Sequence, residues 1–381
     1  MPTIQAKLPE RSDSGIILRW AIESGMSGTM GQFAGPRRKF ALTGFLVSSL
    51  VLLVTTNQAL AAKPAKKSSE PHRQCRGVDM MDELKVKEPE TYAEIMADAA
   101  KVENAGAILW KIEKPGVPAS HLLGTMHVSD TRITTLSPTT LAVLDKSKIV
   151  MLEVADLSQQ ATMAAIGRAA NLLMFSDGRR LDKMLSPEEY ATVKSTVQKA
   201  GLPGEFAAAF RPWIVSTLLA VSECERKNAE SGHAVLDSKI GQEAKARRVP
   251  VVGLETVESQ LASMAAVSDD EQVQMLKAAL KFAHRSDDML ETLTQMYMKR
   301  QMGAAMPFNL ALAAKAGVKP EAFTGFQSEL LHNRNHKMRD GARRYLANGG
   351  ALIAVGALHL QGPTGLVKLF REAGYTVTPV E

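Results

Sequence analysis

The sequence predicts an α/β fold, a central mixed sheet with crossover helices and large helical insertions, and three observations carry that prediction. Short apolar runs (Ile149-Val150-Met151-Leu152, Val251-Val252-Gly253-Leu254 and residues 351–357) have strand length and alternate with segments of helical spacing. Residues 156–230 and 266–346 hold long helical patterns with no strand-like alternation, the mark of insertions packed on a sheet. The same string, G-x-x-H, closes two of the strands some 230 residues apart. Composition agrees: 381 residues, 45% hydrophobic and 23% charged, exclude disorder, collagen and coiled coil.

Taken in order, the chain opens with a leader. Arg37-Arg38-Lys39 precede an apolar stretch that turns polar after Val54 and ends in Ala59-Leu60-Ala61. A basic n-region, an apolar h-region and a small-x-small site describe a signal peptide over residues 1–61, cut after Ala61, with Met26 or Met30 as alternative starts. The apolar part is shorter than the roughly 20 residues a membrane span needs, so no stable span is expected after cleavage, and the location is periplasmic or secreted. Residues 62–74 read as a flexible linker.

The domain proper, 75–381, begins with a helix from Pro89 to Val102, with Ile95, Met96, Ala99 and Val102 along one face. Ile108 to Glu113 and His121 to Gly124 form a hairpin around Pro115-Gly116-Val117-Pro118. A strand over 148–154, the first insertion with breaks at Gly178, residues 201–204 and Arg211-Pro212-Trp213, a helix over 237–247 and a strand over 249–254 follow. Trp213 is read as a packing anchor. After the second insertion come a strand over 351–357, a helix over 364–373 and a last strand over 375–380. Met296, Met298, Met302 and Met306 fall on several helix faces, as core filler does.

Half of the net charge of +6 lies in residues 1–61, and Arg247-Arg248 and Arg339 to Arg344 sit on solvated helix faces, so nucleic acid is not an expected partner. Two cysteines exclude a cysteine-rich scaffold or a zinc site built on four thiolates. In an oxidising compartment they predict one disulfide, Cys75–Cys224, closing a loop of about 150 residues and contributing on the order of 4 kcal/mol.

The chemistry concentrates at strand ends. Gly124-Thr125-Met126-His127 and Gly356-Ala357-Leu358-His359 each end a strand, where a glycine lets the backbone bend and the histidine reaches the crevice that holds ligands in α/β sheets. Glu153 and Glu255 end two further apolar strands. Two imidazoles and two carboxylates suit a divalent metal of unspecified identity without any thiolate. His233, His284, His332 and His336 have no second ligand at metal spacing and read as surface or satisfied residues.

These strings resemble the TraB/GumN family, related to the TIKI proteins: Ser120 to His127, Gly253-Leu254-Glu255-Thr256 with Gln260, Arg334-Asn335, and Gly356 to Leu360 with Gly362, in family order from about Cys75 to Val380. The resemblance implies an α/β fold with a helical insertion and, for the TIKI branch, metal-dependent proteolysis. Carried over, His127, His359 and Glu153 are the metal ligands and Asp237 matches an acid preceding the Gly-Leu-Glu-Thr segment. Gln260, Arg334 and Asn335 are substrate-side groups. Arg334 either binds a substrate carboxylate or anchors the insertion through a buried ion pair.

No His-Glu-x-x-His helix, Gly-x-Ser-x-Gly elbow or phosphate loop is present. The reading is an exported metal-dependent hydrolase of peptide-like amide bonds in a peptide or small molecule. Glu255 or Glu153 takes a proton from a metal-bound water, and Arg334 orients the substrate. The alternatives are a non-catalytic periplasmic protein that binds a metal or haem-type ligand in the same crevice, and an envelope assembly factor.

Overall fold

The computed structural model describes His72 and residues 75–381 apart from Leu157. The leader, both alternative starts and the linker other than His72 lie outside the described residues. His72 itself is tied down, its Nε2 2.8 Å from the Ser129 carbonyl oxygen.

Helices of seven or more residues are numbered here. Helices α1 (Met80–Lys87) and α2 (Pro89–Ala99) lead into the hairpin β1 (Leu109–Lys114) and β2 (Val117–Thr125). The turn is shorter than the sequence suggested: Lys114 pairs with Val117, Gly116 takes φ 76°, and Pro118 belongs to the strand. Such a Pro is tolerated because pairing of β2 with its other neighbour begins only at His121. Next come α3 (Pro138–Lys146) and β3 (Ile149–Leu152). The first insertion supplies α4 (Gln159–Arg168), α5 (Pro187–Lys199), α6 (Pro212–Ala220) and α7 (Glu223–Glu230). Pro212 opens α6 rather than only interrupting a helix, since its missing N–H costs nothing at a first turn. Helix α8 (Leu236–Ala246) crosses to β4 (Val251–Gly253). The second insertion holds α9 (Val257–Ala266), α10 (Asp269–Lys281), α11 (Ser286–Met298), α12 (Ala305–Lys315) and α13 (Asn333–Leu346). Strand β5 (Ala351–Gly356), α14 (Leu366–Glu372) and β6 (Thr376–Pro379) complete the chain.

Among the described residues the six strands form one mixed sheet in the order β4-β3-β5-β2-β1-β6. Strands β4, β3, β5 and β2 run parallel, while β1 is antiparallel to both β2 and β6. Both faces are covered. Leu352 and Ala354 of β5 point into a core with Leu123, Leu152 and Phe308 of α12, whereas Ile353 and Val355 point into a core with Met338 of α13 and Phe370 of α14. Burial of each larger apolar side chain among these, Leu, Ile, Val, Met or Phe, contributes about 1.5–3 kcal/mol. The insertions carry a core of their own around Val193, Trp213, Val215 and Leu261. Trp213 is its anchor as the sequence suggested, and its indole N–H donates to the Leu172 carbonyl.

Cys75 and Cys224 form a disulfide, with Cα atoms 5.5 Å apart. No helix among the described residues is long and apolar enough to cross a membrane.

Candidate metal and active centre at the strand ends

The order of the parallel strands decides the site. Carboxyl ends of β4, β3, β5 and β2 are adjacent, so Glu255, Glu153, His359 and His127 meet although the first and last of them in sequence are some 230 residues apart. Glu153 Oε1 lies 3.9 Å from His127 Nε2 and 3.8 Å from His359 Nε2, beyond hydrogen-bond length but around one point.

Each imidazole is oriented from behind. His127 Nδ1 is 2.7 Å from Asp237 Oδ2, while the other oxygen of Asp237 accepts from the Thr125 hydroxyl at 2.7 Å. Asp237 stands in the first turn of α8, where a carboxylate suits the helix dipole. His359 Nδ1 is 2.6 Å from Asn335 Oδ1, whose amide N–H donates to the Thr364 carbonyl. Both Nε2 atoms are thereby aimed at Glu153, the arrangement in which a second ring of acceptors fixes the tautomer of metal-binding histidines.

Charge balance separates the two rings. Burial alone would lower the pKa of His127, but the Asp237 charge and hydrogen bond, aided by Glu153, raise it to about 9. Burial and the nearby Arg334 guanidinium lower His359 to about 3. Burial works to raise the Glu153 carboxyl, yet Arg334 foremost, with His127 and the Gly356 N–H, holds it well below the usual carboxylate range.

The glycines of the two G-x-x-H strings serve close approach, not an unusual backbone angle. A Cβ on Gly356 would stand 3.3 Å from Glu153 Oε1, which accepts from the Gly356 N–H at 2.7 Å. On Gly124 it would press on Ala357 at 3.0 Å.

Arg334 is the anchor of the carboxylates. Its Nη2 donates to Glu153 and to Glu255, both at 2.6 Å, its Nε donates to both oxygens of Glu255, and its Nη1 donates to the Leu330 carbonyl. A π-helical turn, Ser328–His332, directly precedes it. Of the two roles left open for Arg334, the buried ion pair is the one built. Gln260 donates to Glu153 and Glu255 at 2.9 and 3.3 Å and keeps its own buried carbonyl oxygen without a partner. Asn335 is engaged with His359. The three groups assigned to the substrate side therefore surround the carboxylates and one imidazole. Glu255 is the counter-ion of Arg334 and, unlike Glu153, does not line the cavity.

That cavity, of about 540 Å³, runs from the strand ends into the helical insertions. Its wall includes Glu225, a buried acid that the sequence reading did not single out; both its oxygens accept from the Ser129 N–H, two residues past His127, and burial pushes its pKa up. Only the tertiary structure could find it, since nothing in Ser222-Glu223-Cys224-Glu225 sets it apart from a helix cap. Met289, Met302 and Met306 also line the cavity, so the methionine-rich stretch is not filler alone; Met296 is core and Met298 is exposed. His233, read as surface or satisfied, has a buried Nε2 without a hydrogen-bond partner and packs edge-on against His72 at 4.7 Å.

Among the described residues no group of three His, Cys, Asp or Glu side chains is placed to hold a metal ion as it stands. The donor chemistry of His127, His359 and Glu153 suits a borderline divalent ion, on the condition that His127 surrenders its Nε2 proton.

The profile of the TraB/PrgY/gumN family matches residues 108–379, and the chain belongs to that family. Over 261 residues it is 25% identical to a Shigella flexneri protein described as uncharacterized protein YbaP, covering 68% of this chain and 90% of the relative. A protein of the same description from Escherichia coli K12 is 24% identical over the same shares. No solved structure matches.

Proposed function

We propose that the chain is a hydrolase of peptide-like amide bonds, exported from the cytoplasm, with a divalent ion held by His127, His359 and Glu153. The observation that supports it is the aim of two imidazole Nε2 atoms at one carboxylate oxygen, each ring fixed from behind by Asp237 or Asn335. A divalent ion there would polarise the amide carbonyl and bring the pKa of a bound water toward about 7. Asp237 and Asn335 hold the rings in place. Arg334 and Gln260 keep Glu153 ionised and stationary, a ligand rather than a proton acceptor, and Glu255 balances the charge of Arg334. Hydrolysis adds the water oxygen to the carbonyl carbon and breaks the C–N bond, and both water protons end on the departing amine, which leaves as an ammonium beside the carboxylate product.

Metal content of the purified protein, followed by amide turnover with and without chelator, tests the reading. His127→Ala and His359→Ala should each lose most of the bound metal, the double variant little more, because ligands act as a unit. His284→Ala, altering an exposed residue away from the site, should keep it. Full metal loading in the double variant would end the proposal.

A further inference from the structure

We propose that the cavity beyond the strand ends is a chamber for one aliphatic chain, so that the bond cleaved is the amide of a fatty-acyl group. This deepens, and rests on, the reading of the site as an amide hydrolase. The argument is a census of hydrogen-bond donors on the wall. Helices α6, α9, α10, α11 and α12 supply much of it, and the backbone groups inside a helix are spent on the helix itself. Four polar side chains they contribute each donate to a backbone carbonyl. Ser216 donates to the Pro212 carbonyl at 3.3 Å, Thr217 to that of Ile214 at 2.6 Å, Asn309 to that of Ala305 at 2.8 Å and Gln272 to that of Val267 at 2.6 Å.

A peptide in such a chamber would bury an N–H and a C=O for every residue with few wall groups to pair them, Glu225 and the amides of Asn309 and Gln272 among them. A polymethylene chain has neither N–H nor C=O. The apolar lining is also of the adaptable kind, with Met264, Met275, Met289 and Met306 facing the cavity, and thioether side chains repack around a flexible ligand. At the other end of the same cavity stand His127, Glu153 and His359, which places an acyl carbonyl at the polar site and its tail among the methionines. The reaction is then addition of water oxygen to the acyl carbon, cleavage of the C–N bond, and release of the fatty carboxylate and a protonated amine that carries both water protons.

Calorimetric titration of the chelator-treated full chain with hexanoate, octanoate, decanoate and dodecanoate tests the chamber apart from catalysis. Affinity should rise about fourfold per added methylene until the chamber is full. Leu293→Asp, which puts a charge on the wall, should weaken dodecanoate at least tenfold and hexanoate little, with circular dichroism confirming the fold; the chain-length series on the unaltered protein decides should that variant fail to fold. Affinity indifferent to chain length, or tetraleucine bound as tightly as dodecanoate, overturns the chamber. Equal kcat/KM for acetyl and dodecanoyl glycinamide would overturn the chamber and leave the hydrolase standing. A steep chain-length dependence of binding without turnover of either would uphold the chamber and end the hydrolase reading.

Discussion

The two ends of the cavity are built by opposite rules. At the strand ends nearly every polar atom is committed: Asp237 to Thr125 and His127, Asn335 to His359 and Thr364, Arg334 to two carboxylates and a carbonyl. In the helical half Ser216, Thr217 and Asn309 donate within their own helices, Gln272 donates to the Val267 carbonyl, Glu225 accepts from Ser129, and much of the remaining surface is flexible apolar side chains. A parallel sheet fixes positions to fractions of an ångström, which is what a set of converging donors needs, whereas packed helices with methionine facings tolerate change of shape. The lesson is that substitutions should be costly at the sheet end and cheap in the chamber.

The largest effect tests that directly. Arg334→Met strands Glu153 and Glu255 as buried anions without their cation, and should cost about 3–5 kcal/mol in denaturant unfolding. A loss under about 1 kcal/mol would show that the sheet end is not held as described. Next is the disulfide. Replacing Cys75 and Cys224 together by serine, or reducing the disulfide, should cost about 2–5 kcal/mol, read from the urea midpoint at constant m. Unchanged stability would mean that the bridge only decorates an already ordered segment.

A smaller effect has a pH signature. Burial raises the pKa of Glu225 in the folded protein, so its ionised form disfavours folding and the native state binds this proton more tightly than the unfolded chain. The stability linked to that proton is present below the ordinary carboxylate pKa and is lost as pH rises through the raised value. Glu225→Gln should therefore stabilise the protein at neutral pH, with the gain vanishing in acid; a loss at pH 7 would show that Ser129 requires the anion. The smallest effect sharpens the contrast from the other side. Met306→Leu on the chamber wall should cost less than about 1.5 kcal/mol, with thermal unfolding as the measure.

Much of the site was legible because it lies on short elements whose ends are marked. An acid closing a short apolar run, or a glycine three residues before a histidine, is a local signal, so Glu153, Glu255, His127 and His359 could be named from the chain alone. Roles were less legible than positions. Arg334 allowed two readings until its guanidinium was seen to be shared by Glu153 and Glu255, and Glu225 gave no signal because a cap-proximal acid and a cavity acid look alike in sequence. The glycines were identified correctly and explained by the wrong cause: Gly356 is required by the nearness of Glu153 Oε1, a contact that no local pattern encodes.

By itself the sequence determined the α/β class and the residue types at the strand ends, because hydrophobic period and chain punctuation are local properties, and with two cysteines it left one intramolecular disulfide to expect. Only the tertiary structure decided that β3, β5 and β2 are neighbours, that Asp237 and Asn335 stand behind the two imidazoles, and that the helical insertions line a largely apolar cavity. Those facts depend on strand order and on which side of each helix meets the sheet. Both are set by the global competition to bury apolar surface, which no window of the sequence contains.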